Sequence, residues 1–391
     1  MTTSTRTRTL RWAVPGAAAI AVAVAASGVL SAGASAPLPP KTAAQLLVAL
    51  QNAHVDGLSG TVVENARLGL PDIPSLGGQS SATSLMSLLT GSHTLRVWTG
   101  GEDKSRVALL GSLGESDVVR NGRDVWTWSS DTNTATHYQL PASDSATHKT
   151  PAKVAQLTPQ EAADRALAAI DPTTTVSTDG TGDVAGRSAY ELVLAPKAAG
   201  SLIGQVRIAI DSATSVPLRV QVYPRVSADG PALEVGFTRV SFAAPAERNF
   251  QFTPPSGATV KQGTLPLAAK NANGANGAKD RPAAGATTGG SRTVGTGWTA
   301  VAVMDGASLP GSTSSPKASS GSSGTAAPKR SGASEANQLA QILARAPRVS
   351  GTWGSGRLVT TTLVSVLVTD DGRVVVGAVT PDLLYRAAGT K

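Results

Sequence analysis

Residues 115–141 are ESDVVRNGRDVWTWSSDTNTATHYQLP, a stretch that predicts three short strands separated by turns. Asn121-Gly122 predicts a two-residue type I′ hairpin turn, because both central positions of that turn need a positive φ. The next turn is predicted from three residues whose side chains hydrogen-bond the local backbone: Asp131, Thr132 and Asn133. Trp126 and Trp128 are two positions apart on the middle strand, so both lie on one face of a sheet. That face is either an ordinary core or a surface that holds an apolar ligand.

The composition predicts a folded protein with unstructured segments. The chain has 391 residues, 41% hydrophobic and 15% charged, which is enough for two or more domains. The net charge of +8 suits an anionic partner or surface. Because the positive charge is spread thinly, we expect no nucleic-acid partner. The absence of cysteine excludes disulfides, thiolate chemistry and cysteine-based metal sites.

The N-terminal segment predicts export. Three arginines in the first dozen residues precede the uncharged run AVPGAAAIAVAVAASGVLSAGASA at 13–36, the pattern of a signal peptide. We predict a signal peptide over residues 1–34 with cleavage after Ala34, and a second small-residue site follows Ala36. An uncleaved N-terminal anchor is the alternative. In both cases the protein is extracytoplasmic, either soluble or associated with the cell envelope.

Residues 35–265 are predicted to form one domain of antiparallel strands with a few helices. A helix over 41–54 begins it, with Thr42 as N-cap. A second helix, from Thr158 to about Ile170, is predicted by a capping box with Glu161. The strands are closely spaced and alternate apolar with polar residues: 59–65, 94–99, 104–110, 115–120, 124–129, 134–140, 190–194, 206–210, 218–222 and 233–237.

A smaller domain is predicted at the C-terminus. Residues 266–290 are Gly-, Ala- and Asn-rich and predict a flexible linker. Residues 291–391 predict a small α+β domain with a disordered Gly/Ser-rich insert at 306–332. Its predicted elements are a strand at 297–305, a helix capped by Ser334, and strands at 358–369 and 373–379.

No catalytic or metal-binding motif is present in the sequence. The four histidines have no spacing that suggests a metal site or a base beside a nucleophile, and each is predicted to be a solvated surface residue. Gly354-Ser355-Gly356 lacks the frame of a nucleophile elbow. The segment 179–183 predicts a turn rather than a calcium loop. We therefore expect no enzyme activity, no cofactor and no metal.

The candidate ligand site is apolar. If the sheet is curved and incompletely covered, its dry face forms a cavity for an acyl chain, with Leu85, Met86 and Leu89 in a helical cover. The other predicted cavity residues follow from strand alternation: Trp126, Trp128, Leu192, Leu194, Ile208, Val220 and Phe237. A register error of one residue would move each of them to the opposite face.

The order of elements, with DVVRNGRDVWTW at 117–128 and VPLRVQVYPR at 216–225, resembles the LolA/RseB family in an actinobacterial form. The resemblance covers about residues 37–260. It implies an α+β fold: a strongly curved antiparallel sheet, an unclosed β-barrel, with helices covering an apolar cavity. It also implies a non-catalytic carrier or chaperone that binds lipid or lipoprotein acyl chains.

Two other functions remain open at this point. The small unit after the linker is more like RseB, which implies a regulator that senses envelope lipid and binds a membrane-anchored protein such as an anti-sigma factor. A wall-associated scaffold with a solid core is the third possibility.

Overall fold

The computed structural model describes residues 38–69, 88, 90–111, 114–140, 172–226, 229–263, 291–305 and 345–390. The chain divides into two compact units, Met1–Lys197 with Gly204–Pro266 and Ala198–Ile203 with Leu267–Lys391. Several predicted segments lie outside the described residues: the signal peptide, the helix at 158–170, the linker, the Gly/Ser-rich insert and the helix capped by Ser334. In the described ranges, no helix has the length and apolar character needed to cross a bilayer.

The first unit is dominated by one large sheet. Its helix α1 is Ala43–Gln51, and its strands are β1 Gly57–Arg67, β2 Thr90–Gly100, β3 Lys104–Leu110, β4 Glu115–Asn121, β5 Asp124–Ser129, β6 Thr134–Gln139, β7 Thr174–Val184, β8 Arg187–Pro196, β9 Ile203–Asp211, β10 Pro217–Pro224, β11 Leu233–Ser241 and β12 Thr259–Gln262. A 3₁₀ turn, Glu247–Phe250, lies between β11 and β12.

These twelve described strands have the order β12-β6-β5-β4-β3-β2-β1-β11-β10-β9-β8-β7. The sheet is mostly antiparallel, and β12 pairs in parallel with β6. Its end strands β12 and β7 are not paired with each other, so the sheet is not closed into a barrel. The predicted fold class, α+β with a large unclosed antiparallel sheet and a small second unit, is confirmed.

Helix α1 begins at the predicted cap. The Thr42 hydroxyl accepts a hydrogen bond from the Gln45 amide at 3.2 Å, and Gln45 Oε1 accepts one from the Thr42 amide at 2.9 Å, a capping box that satisfies two otherwise free amides. The helix ends at Gln51, three residues before the predicted end. Its Leu46 is 1% exposed and packs into a core on β8 and β9.

The turn between β4 and β5 differs from the prediction by one position. Asn121 pairs with Asp124, so Gly122 and Arg123 are the two central residues. Gly122 has a φ of 63°, and Arg123 does not have a positive φ. A positive φ at the first central position alone is typical of a type II′ turn, whereas a type I′ turn needs it at both. The predicted type I′ turn centred on Asn121-Gly122 is therefore wrong, although β3 and β5 begin and end where predicted.

The second unit contains a smaller sheet and one described helix. Its strands are β13 Ser291–Val294, β14 Val301–Asp305, β15 Arg348–Gly351, β16 Gly354–Thr360, β17 Ser365–Thr369 and β18 Arg373–Gly377, in the order β13-β14-β18-β17-β16-β15; helix α2 is Pro381–Gly389. Leu367, Val375 and Leu384 are fully buried between this sheet and α2. The unit therefore has its own hydrophobic core.

The single strand predicted over 358–369 is wrong. The chain turns at Thr361–Val364, where the Thr361 amide donates to the Val364 carbonyl at 2.8 Å. The Thr361 hydroxyl also accepts a hydrogen bond from the Val364 amide at 2.9 Å. Two paired strands, β16 and β17, replace the single long one.

Candidate functional site

The registers of β2 to β6 place Trp126 and Trp128 on one face of the sheet, because cross-strand partners share a face. Trp126 lies opposite Val119 and His137, and Trp128 lies opposite Asp117 and Ala135. We call this side the tryptophan face.

The segment between β11 and β12, residues 242–258, packs against the tryptophan face over β2 to β5, and we call this segment the strap. Phe250 of the strap is 1% exposed. The ring of Phe252 lies 5.4 Å from Trp126 and 6.3 Å from Trp128, centroid to centroid. Trp126 also stacks on His137 at 4.5 Å. The two tryptophans are thus half-buried and pack against Phe252 of the strap.

The opposite side carries a row of valines, and we call it the valine face. Val97, Val107 and Val118 lie side by side on β2, β3 and β4, with Thr127 next on β5. Val107 and Val118 are 36% and 47% exposed. The row continues into a buried cluster on the same face: Val62, Leu95, Leu109, Val235 and Phe237. Sequence reasoning missed the row as a site, although the alternation of β3 and β4 was the available signal.

The predicted cavity residues are distributed over three places. Trp126 and Trp128 lie on the tryptophan face, whereas Val220, opposite Val235, lies on the valine face with Phe237. Leu192 and Ile208 belong to the cluster that packs with α1, and Leu194 lies two residues along β8 from Leu192, on the same face of that strand. Leu85, Met86 and Leu89 lie outside the described residues. The structure therefore does not bring the predicted set onto one face.

Leu192 illustrates why the α1 region is closed. Its side chain has 0% exposure and packs with Leu46 of α1 and with Tyr190 and Ile210. The helix fills the space that an apolar ligand would need. Val220 and Phe237, by contrast, lie on the face that continues to an exposed apolar row.

A buried carboxylate lies on the tryptophan face. Asp117 is 4% exposed and accepts a hydrogen bond from Arg106 Nη2 at 2.5 Å. Burial raises the pKa of Asp117 to about 6, although the bond from Arg106 acts in the opposite direction. The guanidinium of Arg106 also lies 5.4 Å from the Trp98 ring centroid.

Two histidines are paired with carboxylates, so their prediction as solvated surface residues is wrong. His93 Nδ1 lies 3.0 Å from Glu64 Oε2, and His137 Nε2 lies 2.8 Å from Asp124 Oδ1. Their side chains are 14% and 20% exposed. In the described part of the chain, no group of three or more His, Asp or Glu residues is placed to hold a metal ion.

Comparison with known proteins gives distant structural similarities. No family model matches the chain, and no curated protein matches it. A chain of the MucA/MucB complex of Pseudomonas aeruginosa is 17% identical, with a TM-score of 0.40, over 88% of this chain and 96% of that one. A LolA superfamily protein from Nitrosomonas europaea is 12% identical, with a TM-score of 0.23, over 55% and 99%. An uncharacterized conserved protein from Thermus thermophilus is 14% identical, with a TM-score of 0.31, over 56% and 97%.

The neighbours thus include a MucB complex and a LolA superfamily protein, while the predicted actinobacterial form stays a prediction. At these identities and TM-scores the similarities do not establish a function, which has to be argued from the residues of this chain.

Proposed function

We propose that this protein is a non-catalytic extracytoplasmic carrier that binds the acyl chain of a lipid or lipoprotein along the valine face. The supporting observation is the exposed row on that face. Val107 and Val118 are 36% and 47% exposed although they lie on interior strands of a large sheet. Contiguous exposed apolar surface of this kind marks a binding site more often than isolated exposed valines do.

The row has the dimensions and chemistry for a hydrocarbon chain. From Val62 on β1 to Val118 on β4 the apolar side chains cross three strand spacings, about 14 Å in total. Each methylene that leaves water on this surface contributes about 0.8 kcal/mol. Such binding needs apolar area and no catalytic group. It therefore agrees with a sequence that contains no catalytic motif.

The test is native mass spectrometry of the secreted protein purified without detergent, followed by lipid extraction. We expect a co-purified acyl-chain species in the wild type and its loss in Val118→Asp. Val226→Asp is the matched control, because Val226 is 88% exposed and lies in the turn that follows β10, away from the valine row. Equal lipid occupancy in both variants, or an apo wild type that takes up no added fatty acid, would contradict the proposal.

A regulator that binds a membrane-anchored protein is the second candidate. It is favoured by the separate hydrophobic core of the second unit, which the acyl-chain proposal leaves unexplained. Cross-linking in native membranes distinguishes the two functions. A regulator gives stoichiometric links from residues 291–390 to one membrane protein, whereas a carrier transfers its bound acyl chain to acceptor vesicles without such links.

A further inference from the structure

The tryptophan face carries a shallow depression, open to solvent, of about 350 Å³ at β11, β1 and β2, which we call the cavity. Two arginines, Arg96 and Arg239, stand at its sides, and Trp98 forms part of its wall. Three hydroxyl side chains also line it, together with Gly60 and Val240: Ser59, Thr61 and Ser241. The cavity lies on the side of the sheet opposite the valine row, so a ligand bound in it is independent of acyl-chain binding at the valine face.

The register of the strands places the two arginines on either side of Thr61. Thr61 pairs with Arg239 on β11. The β1–β2 pairs Leu58–Thr99 and Arg67–Thr90 share one register, which sets Thr61 opposite Arg96. Two strand spacings separate the arginine backbones by about 10 Å. Both long side chains can therefore reach one small anion above Thr61.

A β-bulge gives Arg239 this position. Beyond Thr61 the register of β1 with β11 shifts by one residue, and Val62 pairs with Phe237. Thr238 is the extra residue, and its hydroxyl donates to the Thr61 carbonyl at 3.3 Å. Without the bulge Arg239 would fall opposite Gly60 and point to the valine face, because side chains alternate along a strand. The irregularity thus places both cations beside one cavity.

The two guanidiniums are not neutralised. Arg96 and Arg239 are exposed, and within the described ranges neither forms an ion pair or a hydrogen bond. Four other arginines of the same sheet each lie beside a carboxylate: Arg106–Asp117, Arg187–Asp211, Arg207–Asp179 and Arg219–Glu191. Arg96 and Arg239 therefore differ from these four arginines in having no carboxylate beside them among the described residues, so their charge is available to an anion.

We propose that this cavity binds a phosphate group. Arg96 and Arg239 donate charge-assisted hydrogen bonds to its oxygens, which is the geometry that guanidinium groups favour for phosphate. The hydroxyls of Ser59 and Thr61 serve as additional donors, and Trp98 closes one side. The phosphate belongs either to a soluble phosphate ester or to a lipid headgroup at a membrane surface.

Two probes distinguish a soluble phosphate ester from a lipid headgroup as the ligand. Pyrophosphate is titrated into the full-length protein at constant ionic strength, with tryptophan emission as the signal. Co-sedimentation is then compared for vesicles of phosphatidylcholine alone and of phosphatidylcholine with phosphatidylglycerol. Saturable binding of pyrophosphate indicates a soluble phosphate ligand, and binding to phosphatidylglycerol vesicles without pyrophosphate binding indicates a headgroup.

Substitutions in and away from the cavity test whether the probe binds there. We expect Arg96→Gln with Arg239→Gln to weaken binding of the responsive probe about tenfold or more. Arg123→Gln with Lys261→Gln removes the same charge at the β4–β5 turn and on β12, and should change affinity by less than about twofold. Trp98→Phe should lose most of the optical response while calorimetry still detects binding.

The proposal is overturned if the Arg96/Arg239 variant binds like the wild type. It is also overturned if the Arg123/Lys261 control weakens binding equally, since general attraction would then explain the data. Absence of saturable binding to both probes has the same consequence.

Discussion

Phe250 is the anchor of the strap, and Phe250→Ala tests whether the strap belongs to the core of the tryptophan face. The side chain is 1% exposed. Truncation of a buried Phe to Ala costs about 3–5 kcal/mol, because transfer free energy is lost and a cavity remains. We expect the free energy of local unfolding of β2 to β5 to fall by that amount.

Gly100→Ala tests independently whether the Phe250 ring packs against β2. A Cβ at Gly100 would lie 2.9 Å from the ring of Phe250, so Gly100→Ala in the wild type costs about 1–3 kcal/mol through overpacking. In the Phe250→Ala background the added methyl enters vacated space and costs less. We expect the double-mutant cycle to give a coupling energy of at least about 1 kcal/mol.

The assay is hydrogen-exchange mass spectrometry in increasing urea, with peptides that cover residues 90–140. It reports local opening without assuming that the two units unfold together. Val226→Ala, at an 88% exposed position, should stay within about 0.5 kcal/mol of the wild type. A loss below about 1 kcal/mol for Phe250→Ala, or strictly additive costs with Gly100→Ala, would refute the role of the strap as a core element.

Three further perturbations test other parts of the structure. The raised pKa of Asp117, about 6 against 3.8, means that its contribution to stability is present below pH 4 and is lost as pH rises through about 6. This contribution is at most about 3 kcal/mol, and about 1–2 kcal/mol after solvent screening. Asp117→Asn should therefore make the melting temperature less dependent on pH between pH 4 and 7. An unchanged dependence on pH would contradict this. Burial acts to raise the pKa of Asp211, but hydrogen bonds, foremost from Arg187, hold it below its usual value, so its contribution is lost as pH falls below about 4. Arg187→Ala should lower the free energy of unfolding at pH 7 by about 3 kcal/mol in urea unfolding, because it leaves the buried Asp211 carboxylate without its cation. A loss under about 1 kcal/mol would show that the ion pair contributes little to stability. In the second unit, a Cβ at Gly356 would press on a backbone carbonyl of β17, so Gly356→Ala should speed hydrogen exchange of β16 and β17, whereas Gly182→Ala, with no atom within 4 Å, should leave β7 unchanged.

Local features of the fold were predictable where the sequence carries local signals. The bounds of β3 and β5 follow from alternation between strong turn residues, and the cap at Thr42 follows from its side chain and Gln45. The break between β16 and β17 was not predictable, because Thr361–Val364 contains β-branched and apolar residues and neither Gly nor Pro. Helix α2 was missed although Thr380-Pro381 is a recognisable helix start.

The site was less predictable because its faces depend on long-range register. Alternation assigns Trp126 and Trp128 to one face of β5, and Phe237 to one face of β11. It does not show that these are opposite faces of the sheet, since that depends on the pairing of every strand between them. The cavity arginines show the same limit: Arg96 and Arg239 are far apart in sequence, and the bulge at Thr238 has no sequence signature.

Photo-crosslinking with a lipid analogue is the sharpest test of acyl-chain binding at the valine face. A palmitate analogue that bears a diazirine on its chain is added to the detergent-free protein, and the adducts are mapped by peptide mass spectrometry. If the valine face binds the chain, we expect saturable adducts on the peptides that contain Val107 and Val118, and their loss in Val118→Asp. Adducts concentrated on the tryptophan face, or no saturable adduct, would contradict it.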